Sequence, residues 1–179
     1  MKRIFAILAV LILGSQSAQA GIMIEPYLGY VVGGEIDDGG GATADPAGTL
    51  FGARLGFRTL GFMAGVDYQT GTIEAQDWTD NAEDSDSDVT DLGVFVGYEF
   101  PILFRVYFSY FFDSKSEPEG STGELEGSGT RLGVGYTGLP FVAINLELLS
   151  HSYDEFDGSA LSSDFTADSY VLSVSLPLP

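Results

Sequence analysis

The sequence is poor in several residue types that shape what a protein can do. No cysteine occurs among the 179 residues, so no disulfide framework stabilises the fold. Only seven residues are Lys or Arg, against 26 Asp or Glu, and the formal net charge is −19. Proteins bind nucleic acid through cations that neutralise phosphates, so this balance argues against direct nucleic-acid binding.

The sequence also lacks an apolar run long enough to cross a bilayer as a helix, which needs about 20 residues. The run from Phe5 to Leu13 is short, follows Lys2-Arg3 and precedes the small-residue sequence Ala18-Gln19-Ala20. This order is typical of a secretory signal peptide. We therefore predict a cleaved signal peptide at residues 1–20 and a single domain at residues 21–179.

No sustained helical period follows residue 20, but period-two alternation recurs eight times. One run, for example, sets Phe62, Ala64, Val66 and Tyr68 against Met63, Gly65, Asp67 and Gln69. Short turns near 59–61, 101–102 and 138–140 alternate with long polar loops near 33–48, 71–88, 114–128 and 152–166. The pattern predicts an all-β fold, an eight-stranded antiparallel up-and-down transmembrane β-barrel, with both termini at the short-turn end.

Two features favour a membrane barrel over a soluble one. One face of each run is almost wholly Leu, Val, Ile, Phe and Tyr, while the other is too small and polar for a soluble core. Threading the strands up and down also sorts the outward aromatic residues into two girdles, as bilayer interfaces require. The short-turn girdle comprises Phe57, Phe62, Tyr98, Phe100, Phe104 and Tyr136; the long-loop girdle comprises Tyr30, Phe51, Tyr68, Tyr110, Phe112 and Tyr170.

The inward face carries four basic and four acidic residues: Glu25, Arg54, Arg58, Asp67, Glu99, Arg105, Arg131 and Glu147. Buried ions need partners, so we expect these side chains to form ion pairs that pack a narrow lumen. Registers counted from the turns place Arg131 opposite Glu147, Glu99 beside Arg105, Arg54 diagonal to Asp67, and Glu25 in the same half as Arg58.

The long loops carry most of the acids, and the densest run includes Asp84, Asp86 and Asp88. Their alternation matches the start of a calcium loop, but Val89 replaces its turn glycine and Phe95 its closing glutamate. These acids therefore form a divalent-cation site, a solvated and mutually repulsive loop surface, or, between the two, a surface that divalent cations weakly bridge to anionic lipids. Trp78 lies in the same loop, where it either contacts a partner or tucks against a loop neighbour.

His151 is the only histidine, near the outer end of the seventh run. A hydrolase would need a serine within reach of His151 and an acid to orient it. Ser150 is predicted to face away, and Glu147 lies too far along the strand, which leaves Asp113 and Asp154 as acids that could approach. We therefore expect a non-enzymatic protein without a cofactor and keep a hydrolase using His151 as an alternative.

Similar strand cores recur at Leu28-Gly29-Tyr30, Leu92-Gly93-Val94 and Leu132-Gly133-Val134-Gly135-Tyr136. In these cores and in its whole alternation, the domain resembles the small outer-membrane β-barrels typified by the OmpA transmembrane domain. It departs from them at Leu176 to Pro179, where family members often end in an aromatic residue.

The resemblance implies an outer-membrane location in a Gram-negative-type bacterium, with periplasmic termini and extracellular loops. We expect a monomer whose partners are outer-membrane lipid, lipopolysaccharide and, during insertion, the assembly machinery. The expected role is envelope structure or loop-mediated binding, and a minor channel for small solutes is the other alternative.

Overall fold

The computed structural model describes residues 21–80, 84–120 and 122–178, so the predicted signal peptide lies outside the described residues. Its strands are β1 Gly21–Asp37, β2 Thr43–Thr59, β3 Phe62–Gln76, β4 Ser85–Glu99, β5 Phe104–Pro118, β6 Leu125–Leu139, β7 Val142–Phe156 and β8 Ser159–Ser175. Each strand pairs antiparallel with the next, and β8 pairs with β1, so the sheet closes into a barrel. The predicted fold class is confirmed. In the part of the chain that the structure describes, no helix is long and apolar enough to span a bilayer.

Alternation along each strand determines what faces lipid and what faces the lumen. On β7, Leu146 is 60 % exposed, whereas its neighbour Glu147 is 2 % exposed and points inward. Eleven of the twelve girdle residues are exposed, and the twelfth, Tyr98, is partly covered by ring contacts with Phe62 and Phe100 at 4.8 and 4.9 Å. The apolar surface between the two girdles is the membrane band.

The three short turns share an unusual backbone. Leu60, Leu103 and Phe141 have φ values of 51°, 66° and 65°. The left-handed region costs a residue with a bulky side chain about 1–2 kcal/mol, which is why glycine or asparagine usually occupies it. Each short turn therefore carries a large apolar side chain at a backbone cost.

The strands are longer than predicted. The prediction of long loops is wrong, because most of their residues belong to strands. Only residues 38–42, 77–84, 119–124 and 157–158 separate the strands at that end. A 15-residue strand such as β3 spans roughly 38 Å along the barrel axis at a tilt of about 40°. The outward apolar band of such barrels is only about 25 Å tall, so the barrel extends beyond it.

This extension, which we call the collar, comprises the described residues of 31–50, 70–91, 111–130 and 149–171, except the lipid-facing Val32, Phe112 and Tyr170. The collar has apolar side chains inside and polar side chains outside, which is the reverse of the membrane band. Its interior is an apolar cluster of Val31, Ile36, Ala44, Leu50, Ile73, Ala75, Val89, Phe111, Leu149 and Val171. Its outer surface exposes acids such as Asp45, Asp88, Glu117 and Asp168. The collar is thus built like a soluble barrel on top of a membrane barrel, because water replaces lipid outside it.

The two adjacent residues Phe111 and Phe112 test this arrangement. Phe111 is fully buried in the collar core, while Phe112 is 54 % exposed on the girdle. Replacing Phe111 with Ala should lower the unfolding free energy in lipid vesicles by about 3–5 kcal/mol, because it leaves a cavity. Phe112→Ala should cost clearly less. Chemical denaturation of both variants measures the difference, and an equal or larger loss for Phe112→Ala would contradict the collar core.

Candidate functional site

The lumen between the girdles is filled by an ionic cluster that we call the plug: Glu25, Arg54, Asp67, Arg105, Arg131 and Glu147. All six occupy inward positions of their strands, and each is at most 2 % exposed. Three arginines face three carboxylates, so the plug is balanced when all six are charged. Buried ions are tolerated when they are paired and hydrogen-bonded in this way.

Arg54 on β2 holds acids from three different strands. Its guanidinium lies 3.2 Å from Glu25, 3.3 Å from Asp67 and 3.3 Å from Glu147. The same group lies between two aromatic rings, 4.5 Å from the centre of Tyr27 and 4.1 Å from the centre of Tyr107. Cation–π contacts of this kind compensate part of the lost hydration.

Arg105 and Arg131 complete the plug. Both outer nitrogens of Arg105 donate to Glu25, at 2.6 and 2.7 Å, and one also donates to Asn145 at 2.8 Å. Arg131 reaches Asp67 at 2.8 Å and Glu147 at 3.1 Å. The two arginines on β5 and β6 thereby tie β1, β3 and β7 together across the barrel.

Hydroxyl groups donate further hydrogen bonds to two of the three carboxylates. Tyr27 donates to Asp67 at 2.9 Å, and Ser109 donates to the same carboxylate at 2.7 Å. Tyr107 and Ser173 donate to Glu147 at 2.5 and 2.7 Å. The tyrosines fit because the ring of Tyr27 lies over Gly52 and that of Tyr107 over Gly133, where a side chain would collide with the ring.

The remaining predicted lumen charges, Arg58 and Glu99, lie at the short-turn mouth of the lumen. They pair with each other at 3.2 Å and are about one-third exposed. Glu99 is directly opposite Arg105 in the sheet, yet each turns to a different partner. Arg105 points toward the buried Glu25, and Glu99 points toward Arg58.

Some of the expected registers are wrong. Glu147 lies opposite Gly133, so its pair with Arg131 is diagonal, because β6 continues to Leu139, which pairs with Val142, and the turn therefore lies further along the chain than predicted. Arg54 lies directly opposite Asp67 and not diagonal to it. Glu25 lies directly opposite Arg54 and, as expected, in the same half of the barrel as Arg58, which is opposite Gly21. All eight residues face the lumen. Arg131 contacts Glu147 and Arg54 contacts Asp67, as expected, whereas Glu99 pairs with Arg58 and not with Arg105.

Above the plug the structure shows a second buried pair that the sequence analysis missed. His151 lies 3.0 Å from Asp91, and its ring stacks between Phe111 and Tyr153 at centroid distances of 6.2 and 5.8 Å. Gln69 donates to Asp91 and accepts from Arg131, which links this pair to the plug. Neither Asp113 nor Asp154 approaches His151, whereas Ser150 is exposed on the outer face.

The signal for Asp91 was present in the sequence, since it shares the inward phase of Gly93 and Phe95. The residues directly opposite Asp91 in the sheet are Gln69 and Ser114, so hairpin registers assign it no ionic partner. The contacts of Tyr27 with Asp67, of Tyr107 with Glu147 and of Asn145 with Arg105 could not be predicted in this way, because they join strands that are not neighbours in the sheet.

The acidic run is dispersed. Asp84 accepts from the backbone of Asp77 at 3.1 Å, Asp88 accepts from Thr72 at 2.8 Å, and Asp86 lies between them on β4. Within the described residues, no three acidic or histidine side chains converge in an arrangement that could hold a metal ion. Trp78 is partly buried and packs with Phe165 and Ala167 against the collar core.

A matched pair of substitutions tests the plug. Glu147→Gln removes one carboxylate from between Arg54 and Arg131, and breaking a buried pair this way should cost about 3–5 kcal/mol of unfolding free energy. Glu99→Gln makes the same chemical change in the partly exposed mouth and should cost at most about 1 kcal/mol. Denaturant titration in vesicles measures both, and similar losses at the two sites would refute a buried plug.

Comparison with known proteins agrees with this architecture. No family profile matches the sequence, and a search of curated proteins found no match. The crystal structure of Neisserial surface protein A is similar, with a TM-score of 0.59 and 14 % identity over 89 % of this chain and 99 % of that one. The outer-membrane protein AlkL in lipid bilayers gives a TM-score of 0.49 with 17 % identity, over 92 % of this chain and 93 % of that one. OprG from Pseudomonas aeruginosa gives 0.42 with 13 % identity, over 91 % and 98 %. The chain has the fold of the small eight-stranded outer-membrane β-barrels.

Proposed function

We propose that this outer-membrane barrel is a non-enzymatic, non-conducting protein that holds a rigid acidic collar outside the cell. In this proposal the short turns and both termini face the periplasm, and the collar serves envelope structure or binding at the cell surface. The observation that carries the proposal is the plug, whose six ions are at most 2 % exposed in the middle of the lumen.

Two further layers support a closed lumen. The interior of an eight-stranded barrel is just wide enough for side chains to fill it. Above the plug, the His151–Asp91 pair and its stacked rings occupy the next layer. Above that, the apolar collar core is covered by Trp78 and Phe165. A hydrated ion would have to displace all three layers to pass.

The same burial argues against hydrolysis at His151. The imidazole is 4 % exposed, and a substrate could reach it only by displacing the collar core. Its neighbour Ser150 points to the opposite face of β7, where it cannot serve as the nucleophile for this histidine. His151 and Asp91 therefore act as packing and hydrogen-bonding groups in our proposal.

The collar is suited to binding because it is both rigid and exposed. Its strands continue to short connections, and the turn at 38–42 is itself ordered by hydrogen bonds. Backbone N–H groups of Gly40 and Ala42 donate to Asp38 at 2.7 and 3.0 Å and lower the pKa of that carboxyl. We propose that the acidic outer surface meets outer-leaflet lipid and lipopolysaccharide, with divalent cations bridging the negative charges. The barrel acts as a monomer that needs the assembly machinery only for insertion.

Planar-bilayer recording tests whether the lumen is closed. The wild-type barrel should give no conductance steps, because the plug fills its cross-section. The variant Phe111→Ala/Arg131→Ala/Glu147→Ala/His151→Ala truncates side chains in all three layers and removes one arginine and one carboxylate, so the plug stays neutral. This variant should give conductance steps. Steps in the wild-type barrel of the same size as in this variant would overturn the proposal in favour of a small-solute channel.

A second measurement separates the proposal from a hydrolase. Wild-type protein and His151→Asn, both folded in vesicles, should be equally inactive toward activated ester and peptide substrates. The variant should still lose thermal stability, because Asp91 loses its imidazole partner. Turnover by the wild type that disappears in His151→Asn would establish an enzyme.

A further inference from the structure

The end of the barrel with the short turns exposes large apolar side chains. Phe141 is 85 % exposed, Ile102 68 %, Leu60 59 % and Leu103 51 %. These side chains lie in the turns, beyond the short-turn girdle. Large exposed apolar groups gathered at one end mark a surface that contacts something other than water.

Backbone conformation gives an independent indication. Leu60, Leu103 and Phe141 all adopt the left-handed region, as do Asp77 and Asp157 at the opposite end. Aspartate is among the residues that tolerate this conformation, whereas leucine and phenylalanine are not. At the collar end, the left-handed positions are thus occupied by a polar residue that tolerates this conformation. At the short-turn end, all three are occupied by a large apolar residue that does not.

Charge follows the same division. Among the described residues, the charged side chains nearest the short turns are Arg58 and Glu99, which pair with each other at the lumen mouth and not on the outer surface. The stretches 59–66, 100–104 and 132–146 contain no charged residue. A surface meant for water or for an acidic or basic partner would carry charges there.

The height of the membrane band explains why the turns are apolar. On β3 the outward apolar residues extend only from Phe62 to Tyr68, and Thr70 and Thr72 follow. Six residue steps correspond to roughly 15 Å along the axis, well short of the usual band of about 25 Å. On β1 the band runs from Ile22 to Val32 and reaches roughly the full height. The band is thus too short on one side unless the turns contribute to it.

We infer that the short-turn end is a lipid-binding surface: Leu60, Leu103 and Phe141 insert into the acyl-chain region of the leaflet that faces them. The turns then extend the membrane band: Leu60 adjoins the short band of β3, and Phe141 adjoins β7, where the outward apolar residues run only from Val142 to Leu148. The turns are continuous with the lipid-facing surface of the band. The occupant is phospholipid hydrocarbon, not a protein and not a second barrel.

Fluorescence quenching tests where this end lies. Trp78→Phe removes the only tryptophan, and Phe141→Trp or Phe156→Trp then places one probe on a turn at either end. Phe156 is 38 % exposed in the β7–β8 hairpin of the collar, which makes it the matched control. In vesicles that contain brominated phosphatidylcholine, the probe at 141 should lose most of its emission and resist aqueous acrylamide. The probe at 156 should behave in the opposite way.

Three outcomes would overturn the inference. A probe at 141 that acrylamide quenches and brominated lipid does not would place the turn in water. A probe protected from both quenchers would indicate a protein partner. Protection that disappears when the protein-to-lipid ratio is lowered would indicate a second copy.

Substitution by asparagine gives a second test. The denaturation midpoint should fall if the turn side chains lie in lipid and rise if they lie in water. Asparagine tolerates the left-handed region, so Leu60→Asn, Leu103→Asn and Phe141→Asn each relieve backbone strain. If the side chains are in lipid, each variant should unfold at lower denaturant concentration in vesicles, and Phe141→Asn should show the largest shift. Asp157→Asn, the control, should leave the midpoint unchanged. Higher midpoints for the three variants would mean that their side chains face water.

Discussion

Hydrocarbon offers no partner for a backbone N–H or C=O group, so every strand of a membrane sheet needs a neighbour on both sides. The closure of β8 on β1 meets this requirement, and the other features of the structure follow from it. A closed sheet has two faces and alternating side chains, so one face must suit lipid and the other must suit a narrow enclosed space. With eight strands that space holds side chains and little else. The polar face of each strand is therefore forced to become a packed interior.

That interior shows how charge can be packed without water. Arg54 contacts acids from β1, β3 and β7, and Arg105 reaches Glu25 from the other side of the lumen. Any one carboxylate serves two arginines, so the pairs are not independent and their energies should not be summed. Replacing the whole set by apolar residues is a different change from removing one member, and only the second leaves an uncompensated buried ion. The plug thus has two effects: it stabilises the barrel, and it favours one arrangement of the lumen side chains.

The alternation predicted the strands inside the membrane, the girdles and the place of each short turn, because lipid and lumen select opposite residue types at a period of two. It failed in the collar, where Ile73 and Ala75 face inward and Thr72 and Glu74 face outward. The collar strands keep the alternation of two, but their apolar side chains point inward and their polar ones outward. A search for strands with an apolar outer face therefore takes these residues for a loop. The partners in the lumen were beyond prediction for a geometric reason. His151 and Asp91 are 60 residues apart on strands that do not touch, so their contact depends on the stagger of the closed barrel and not on any hairpin.

The two ends of the barrel together determine how deep it sits. Acids on the collar surface cannot enter hydrocarbon, which limits movement in one direction; apolar turns resist exposure to water, which limits movement in the other. Hydrophobic mismatch usually costs only a fraction of a kcal/mol per ångström, so a smooth band alone would fix depth weakly. Acids that cannot enter hydrocarbon at one end and apolar turns that resist water at the other define the depth of the barrel more narrowly. A collar held at a defined height needs few flexible loops, which accounts for strands that continue to a two-residue connection at 157–158. The backbone strain at Leu60, Leu103 and Phe141 is thus the local cost of a property of the whole barrel, its depth in the membrane.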